Sequence, residues 1–289
     1  MIKLIVDSTC DINSEIADNY DIDIIPLSIA IDGVSYLDGV DIDINTVYKY
    51  MREGKVPKTS QVSFESVSKV IEKCASNNDD FIYLSFSSRL SGTYNFAKKI
   101  IGVYKEKYPE CKMAIIDSKG GAGGNGLIAL QALKMIEKKI PFDTIINQIQ
   151  FMVEHIFYYF TISDLEWLSK GGRINKTVGY VGNVLNIKPY LTVKDGKIIV
   201  SKMIHGSKKT IQTLVNDIKA GTEKFSNQII GISHADDITT ALYVEQKIKE
   251  TITGCKTTIF EIGAVLGSHL GIGGVGVFFF DEKPEFYEL

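Results

Sequence analysis

Between Phe81 and Tyr104 the chain commits to one kind of local unit. Phe81-Ile-Tyr-Leu84 is an apolar run of strand length, and Phe96, Ile100, Ile101 and Tyr104 recur at helical spacing. The segment Ser85-Phe-Ser-Ser-Arg-Leu-Ser-Gly-Thr-Tyr94 joins them. A buried strand therefore passes through a hydroxyl-rich turn into a helix expected to begin near Ser91. Helix N-termini present unpaired N–H groups and a partial positive charge, which suits an anion. The turn has no lysine and only one arginine, Arg89. That set matches a carboxylate held by neutral hydrogen bonds better than a polyphosphate. The plainer role, Ser91 as a helix cap, stays open on sequence alone.

The same alternation runs through the first half. Strands are expected at Lys3–Asp7, Ile22–Ile25, Asp80–Ser85 and 113–117. Helices are expected at 13–19, from an Asn45 cap to Arg52, at 64–76, and at 126–138. A longer irregular segment crosses Gly33 and Gly39, and 53–63 reads as a loop. Strands alternating with helices argue for a parallel sheet covered on both faces. The second half differs. Asp195-Gly196 between the apolar runs 190–194 and 197–203 is a strong hairpin signal. Helices at 207–225 and 236–251 alternate with strands at 228–233, 257–262 and 275–280, with shorter pieces at 158–163 and 164–169. The expected fold class is α/β with two domains. Residues 1–155 form an N-terminal parallel-sheet α/β domain, and residues 156–289 a C-terminal α+β domain with a mixed or antiparallel sheet. A cleft between two such halves is a usual ligand site.

Composition removes several function classes. The chain has 289 residues, 45% hydrophobic and 23% charged, with a net charge of −3 and no basic run. Nothing there suits nucleic acid. Cys10, Cys74, Cys111 and Cys255 are dispersed, so neither a zinc site nor a disulfide framework is expected, and the four histidines are equally scattered. The first residues reach Asp7 too early for a signal peptide, and no apolar stretch approaches the roughly 18 residues of a membrane span. A cytoplasmic protein, not embedded in a membrane, is expected.

Two segments match G-x-G-x-x-G: Gly121–Gly126 and Gly271–Gly276. The first lacks the following strand with a ribose-binding acid, because 142–153 is again helical in pattern. The second runs into a strand and leaves no room for a helix. Both read as tight turns or close backbone approaches. Walker A, H-E-x-x-H and G-x-S-x-G patterns are absent. What remains is a set of polar loops: Asp7-Ser-Thr-Cys-Asp11, Lys58-Thr-Ser-Gln-Val-Ser63, Ser91-Gly-Thr93 and Asp117-Ser118. In a parallel α/β sheet, loops at the carboxyl ends of strands converge on the ligand crevice. Arg173 follows a glycine pair, and His269 sits among small and apolar residues.

Taken together, the chain resembles the DegV family, bacterial fatty acid-binding proteins that serve as the lipid-carrying subunit of fatty acid kinase. The marks are Val6-Asp-Ser-Thr-Cys-Asp11, Lys58-Thr-Ser-Gln61, Leu90-Ser-Gly-Thr-Tyr94, Leu168-Ser-Lys-Gly-Gly-Arg-Ile174 and Gly263-Ala-Val-Leu-Gly-Ser-His269, in that order over nearly the whole chain. The resemblance implies one long-chain fatty acid in an apolar tunnel and no further cofactor. Thr59, Ser91 and His269 would hold its carboxylate, and Arg173 would serve the phosphate of the product. A separate ATP-dependent kinase subunit would phosphorylate the bound acid. The acyl phosphate would then go to an acyltransferase and phospholipid synthesis, and this chain would not be an enzyme itself. Val62 departs from the usual proline, and both glycine-rich runs depart from the family pattern, which bears on tunnel shape. The alternative is a stand-alone enzyme acting on a small polar carbonyl or phosphorylated substrate, with Asp7, Asp117 and His269 as candidate nucleophile or base.

Overall fold

The computed structural model describes residues 1–174 and 186–289. Strands β1 (Ile2–Asp7), β2 (Ile22–Ile25), β6 (Asp80–Ser85) and β7 (Met113–Asp117) form an all-parallel sheet in the order β2-β1-β6-β7. Its two faces are set by residue alternation. Ile5, Phe81 and Tyr83 pack under helices α3 (Phe64–Ser76) and α4 (Thr93–Lys107). Leu4, Val6, Ile82 and Leu84 pack on α5 (Ala122–Glu137) and α6 (Phe142–His155).

A second, mixed sheet holds β8 (Ile156–Thr161), β9 (Ile187–Lys194), β10 (Lys197–His205), β11 (Ile229–Ala235), β12 (Lys256–Glu261) and β13 (Gly274–Phe280). Its order is β10-β9-β8-β13-β11-β12, antiparallel except for β11 and β12. One face is covered by α8 (Ser207–Gly221) and α9 (Ile238–Thr251). The other meets α5, which thus lies between the two sheets and is buried nearly all round.

A third sheet, β4-β3-β5, completes the first half: β3 (Ser28–Ile31), β4 (Val34–Leu37) and β5 (Lys58–Ser60), with α2 (Ile44–Arg52) against it. Short helices α1 (Ser14–Asn19), α7 (Glu166–Lys170) and α10 (Ala264–Leu270) fill the loops. α10 comes from the far end of the chain yet packs on α2, β3 and β5.

Several local expectations change. Asp43, not Asn45, caps α2, accepting from Thr46 N at 2.9 Å. The segment read as irregular is a hairpin, β3–β4, turned by Asp32 (φ 52°) and Gly33 (φ 83°), the left-handed pair that a tight turn requires. Lys58–Ser60 pairs with β3 and is a strand within the expected loop. α4 starts at Thr93, two residues after Ser91. α5 starts at Ala122 and so takes the glycine run inside the helix. Steric need explains that run. A Cβ on Gly124 would lie 2.3 Å from the Tyr158 ring, and one on Gly126 2.5 Å from the Asp11 carbonyl. The first dinucleotide-like match is therefore a close helix–sheet approach. Cys10, Cys74 and Cys111 are buried thiols, as small apolar residues would be; Cys255 is half-buried.

Candidate functional site

β1 and β6 are neighbours, while their flanking strands β2 and β7 lie on opposite sides, so the loops after β1 and β6 open at the switch point of the sheet. The turn after β6 is suspended there by carboxylates. Asp7, fully buried, accepts from Phe86 N at 2.8 Å, Thr9 N at 3.2 Å and Tyr83 Oη at 3.2 Å. Asp117 accepts from Ser88 N at 3.0 Å and Lys119 N at 3.1 Å. Burial pushes the Asp7 carboxyl up from its ordinary value, against the pull of these donors. Both acids are occupied in holding backbone, and neither lines the cavity described below. The Ser91 hydroxyl accepts from Thr93 N at 3.2 Å and lies 2.9 Å from Thr93 Oγ1, so it does help to cap α4.

Thr59 is the middle residue of β5, paired with Ile29. Its neighbour Gln61 lies over Gly92, where a Cβ would fall 2.1 Å from Gln61 Oε1. Contact between the Thr-Ser-Gln and Ser-Gly-Thr motifs thus requires the absent side chain. His269 reaches the same place on α10. Distant acids hold the N-terminus of that helix: Asp38 accepts from Ala264 N at 3.1 Å and Val265 N at 3.3 Å, and Asp11 accepts from Gly263 N at 3.2 Å. Burial pushes Asp11 up to about 7 and raises Asp38 also. Together the two acids satisfy donors that a seven-residue helix could not satisfy itself. His269 Nε2 lies 2.7 Å from Thr59 Oγ1. Burial, aided by the Arg173 charge, lowers the imidazole to about 4, so it is neutral at pH 7. With its proton on Nε2 the ring donates to Thr59, and the threonine proton is free to donate elsewhere.

Arg173 is placed by the end of α7. Gly172 N donates to Ser169 O at 3.1 Å and Arg173 N to Leu168 O at 3.0 Å, with Gly172 at φ 73°, a Schellman ending. Gly171 serves space instead: a Cβ there would lie 2.2 Å from His269 Nδ1. The glycine pair thus seats the imidazole and turns the chain to Arg173. The half-buried guanidinium is lowered from its ordinary pKa by desolvation.

Thr59, Ser91, Arg173 and His269 all line one cavity, of about 910 Å³ including its solvent-open part. Apart from Ser60, Gln61, Thr161 and Ser233, the remaining lining is apolar or glycine. Phe86 and Leu90 come from the turn, Tyr158 and Phe160 from β8, and Phe278 from β13. Gly274 and Gly276 of β13 also line the cavity, so the second dinucleotide-like match supplies a strand that withholds side chains. Gln61 and Gly171 stand inside the quoted motifs and Phe86 inside the turn after β6, but sequence alone assigned none of the three a role at the site. Their signal was position: beside Thr59, after a strand ending in serine, and before Arg173. Among the described residues no cluster of three metal-ligating side chains occurs, and no helix is long and apolar enough to cross a membrane.

Residues 1–282 match the model of the DegV family, described as uncharacterised proteins. A DegV domain-containing protein of Clostridium acetobutylicum is 33% identical over 283 residues, covering 97% of this chain and 99% of the relative. Among solved structures, a fat acid (stearic acid)-binding protein from Eubacterium ventriosum superposes with TM-score 0.88 at 26% identity, covering 96% of this chain and 97% of that one. The Streptococcus pneumoniae Fatty Acid Kinase (Fak) B3 protein, loaded with linoleic acid, shares the fold with TM-score 0.88 at 22% identity, covering 98% and 100%. The mixed α/β architecture, with one parallel and one mixed sheet, is that of these two-domain proteins. Motifs, fold and full-length match agree, and the chain belongs to the DegV family.

Proposed function

We propose that this protein binds one long-chain fatty acid, its carboxylate on Thr59, Ser91 and His269 and its tail in the apolar cavity. The observation that carries the reading is a largely apolar cavity joined to a small set of neutral donors. Burying an acid's head without donors costs several kcal/mol, so the hydroxyls and the imidazole are what such a head needs. A sixteen-carbon tail offers about fifteen groups worth roughly 0.8 kcal/mol each, on the order of 12 kcal/mol gross. That exceeds the lower estimates of association cost. The stearic acid of the Eubacterium ventriosum relative supports the ligand class.

The reading extends to a division of labour. The first half, to about residue 155, supplies the carboxylate loops, and the second supplies most of the tunnel wall. The chain presents the carboxylate to a separate ATP-dependent kinase subunit and does no phosphoryl transfer alone. Arg173 meets the transferred phosphate, and the acyl phosphate passes to an acyltransferase and phospholipid synthesis. The kinase context named for the Streptococcus pneumoniae protein supports this partnership. In-line attack needs only that a carboxylate oxygen be held towards an incoming γ-phosphate. A stand-alone enzyme is less favoured, because Asp7 and Asp117 are committed to backbone donors.

Denaturing lipid extraction of freshly purified protein, followed by mass spectrometry, tests the binding class. About one fatty acid per chain is expected. A protein that is empty, and also refuses added long-chain acids, would remove the reading.

A further inference from the structure

The tip of the β9–β10 hairpin is held from outside its own sheet. β9 pairs with β8 only at Tyr190, Leu191 and Thr192, whereas β9 and β10 pair along their length, from Lys194 and Lys197 to Ile187 and His205. Beyond Thr192 the tip is a two-stranded ribbon, and such ribbons are marginal in water without a surface to rest on. Its surface is the turn that leads to Ser91. Ser87, fully buried, donates its hydroxyl to Gly196 O at 2.7 Å. Gly196 stands at φ 77°, and a Cβ there would lie 2.7 Å from Ser87 Oγ and 2.9 Å from Arg89 Cγ. The tip's flanking residues Val193 and Ile198 line the cavity. On the other side, Ser91 N donates to the Ser87 carbonyl at 3.1 Å.

We propose that residues 193–198 form a movable cover over the acyl cavity, latched by the Ser87 hydroxyl, and that the ligand enters and leaves when this tip lifts. The inference rests on the fatty acid reading above. A single neutral hydrogen bond is worth roughly fivefold in an equilibrium, enough to favour the closed tip and weak enough to release it. Lifting the tip breaks only the Ser87 hydroxyl bond; the turn to Ser91 stays held by Asp7 and Asp117.

The latch can be closed covalently. Arg89 Cβ lies 3.3 Å from where a Cβ on Gly196 would stand, close to the roughly 3.5–4.5 Å of disulfides. An Arg89→Cys/Gly196→Cys variant is loaded with palmitic acid, oxidised, checked by intact mass and chased with deuterated palmitic acid. Exchange is expected to slow at least about tenfold and to recover with reductant, with Arg89→Cys alone as control. Ser87→Ala, which needs no left-handed side chain, should speed exchange roughly fivefold with equilibrium affinity held within about twofold. Exchange unchanged by the closed disulfide, or a wild-type rate in Ser87→Ala, overturns the cover. Should the double variant fail to fold, the Ser87→Ala rate decides alone. A wild-type protein that takes up no long-chain acid in titration instead removes the fatty acid reading itself.

Discussion

The two large sheets face the same central helix and use those faces in opposite ways. On the parallel sheet, Leu4, Val6, Ile82 and Leu84 are fully buried and fill the space up to α5 and α6. On the mixed sheet, Phe260, Phe278 and Phe280 likewise reach that core, but β13 places Gly274 and Gly276 on the same face as Phe278. The cavity lies where those side chains are missing. Glycine thus does two different jobs within one layer. On α5, Gly124 and Gly126 remove side chains so that helix and sheet touch; on β13 the same omission leaves room that belongs to the cavity.

The largest expected effect separates these two uses. A valine at Gly126 would force its Cβ against the Asp11 carbonyl, which is backbone and cannot swing aside. We expect Gly126→Val to lose at least about 3 kcal/mol of stability in denaturant titration, at or beyond the upper end of ordinary overpacking. A Cβ at Gly276 would meet the Phe278 ring at 3.1 Å and Phe160 Cβ at 3.2 Å, beside open volume into which the ring can turn. Gly276→Val should keep stability within about 1.5 kcal/mol and weaken palmitic acid binding about tenfold or more. A stable Gly126→Val, or a Gly276→Val that binds as tightly as wild type, would break the contrast.

How much of this was legible in the sequence follows from the range of the forces involved. The Phe81–Tyr104 unit was readable because strand and helix periodicity are both local. The β9–β10 hairpin was readable because Asp195-Gly196 fixes its own turn. Helix α10 was not, since seven residues with a glycine at their centre have little helical preference, and the caps that hold it come from Asp11 and Asp38. The start of α5 was hidden for a related reason: glycine argues locally against helix, and only contact with Tyr158 and Asp11 makes it necessary. At the site, the family motifs brought forward Thr59, Ser91, Arg173 and His269, and the structure places all four on one cavity. The posts held by Asp7 and Asp117 could not be read, because their partners Phe86 and Ser88 are defined only by tertiary contact.

Smaller effects sharpen the contrast at its polar end. His269 is lowered from 6.5 to about 4 in the fold, so between those pH values the unfolded chain binds a proton that the folded chain does not. Its contribution is therefore present above pH 6.5 and is lost as pH falls to 4, on the order of 3 kcal/mol. Asp11, raised from 3.8 to about 7, has the opposite sign, and its contribution is lost as pH rises through 7. Denaturant midpoints of wild type and His269→Gln across pH 4–7 isolate the imidazole. The wild type should lose ground to the variant towards pH 4, and a flat difference would mean the ring is not held neutral. Next in size, Thr59→Ala and Ser91→Ala should each weaken fatty acid binding by about 2 kcal/mol, roughly thirtyfold, with the fold intact. Unchanged affinity in both would leave the cavity to the apolar tail alone and move the carboxylate elsewhere.

The smallest expected change is at Arg173, and it divides the polar end itself. Thr59 and His269 are joined by a 2.7 Å contact and are neutral at pH 7, whereas Arg173 brings a positive charge from a different helix ending. A carboxylate satisfied by hydroxyls gains little from a second-rank cation, but a phosphoryl group gains charge as it arrives and needs one. Arg173→Ala should therefore bind free palmitic acid within about twofold of wild type. With a fatty acid kinase subunit and ATP supplied, its phosphorylation rate should fall about tenfold. Titration of the acid and a single-turnover measurement of acyl phosphate read the two steps separately. If the loss appears only in acid binding, the guanidinium belongs with Thr59 and Ser91. The polar end would then be one binding site, without a separate group for the transferred phosphate.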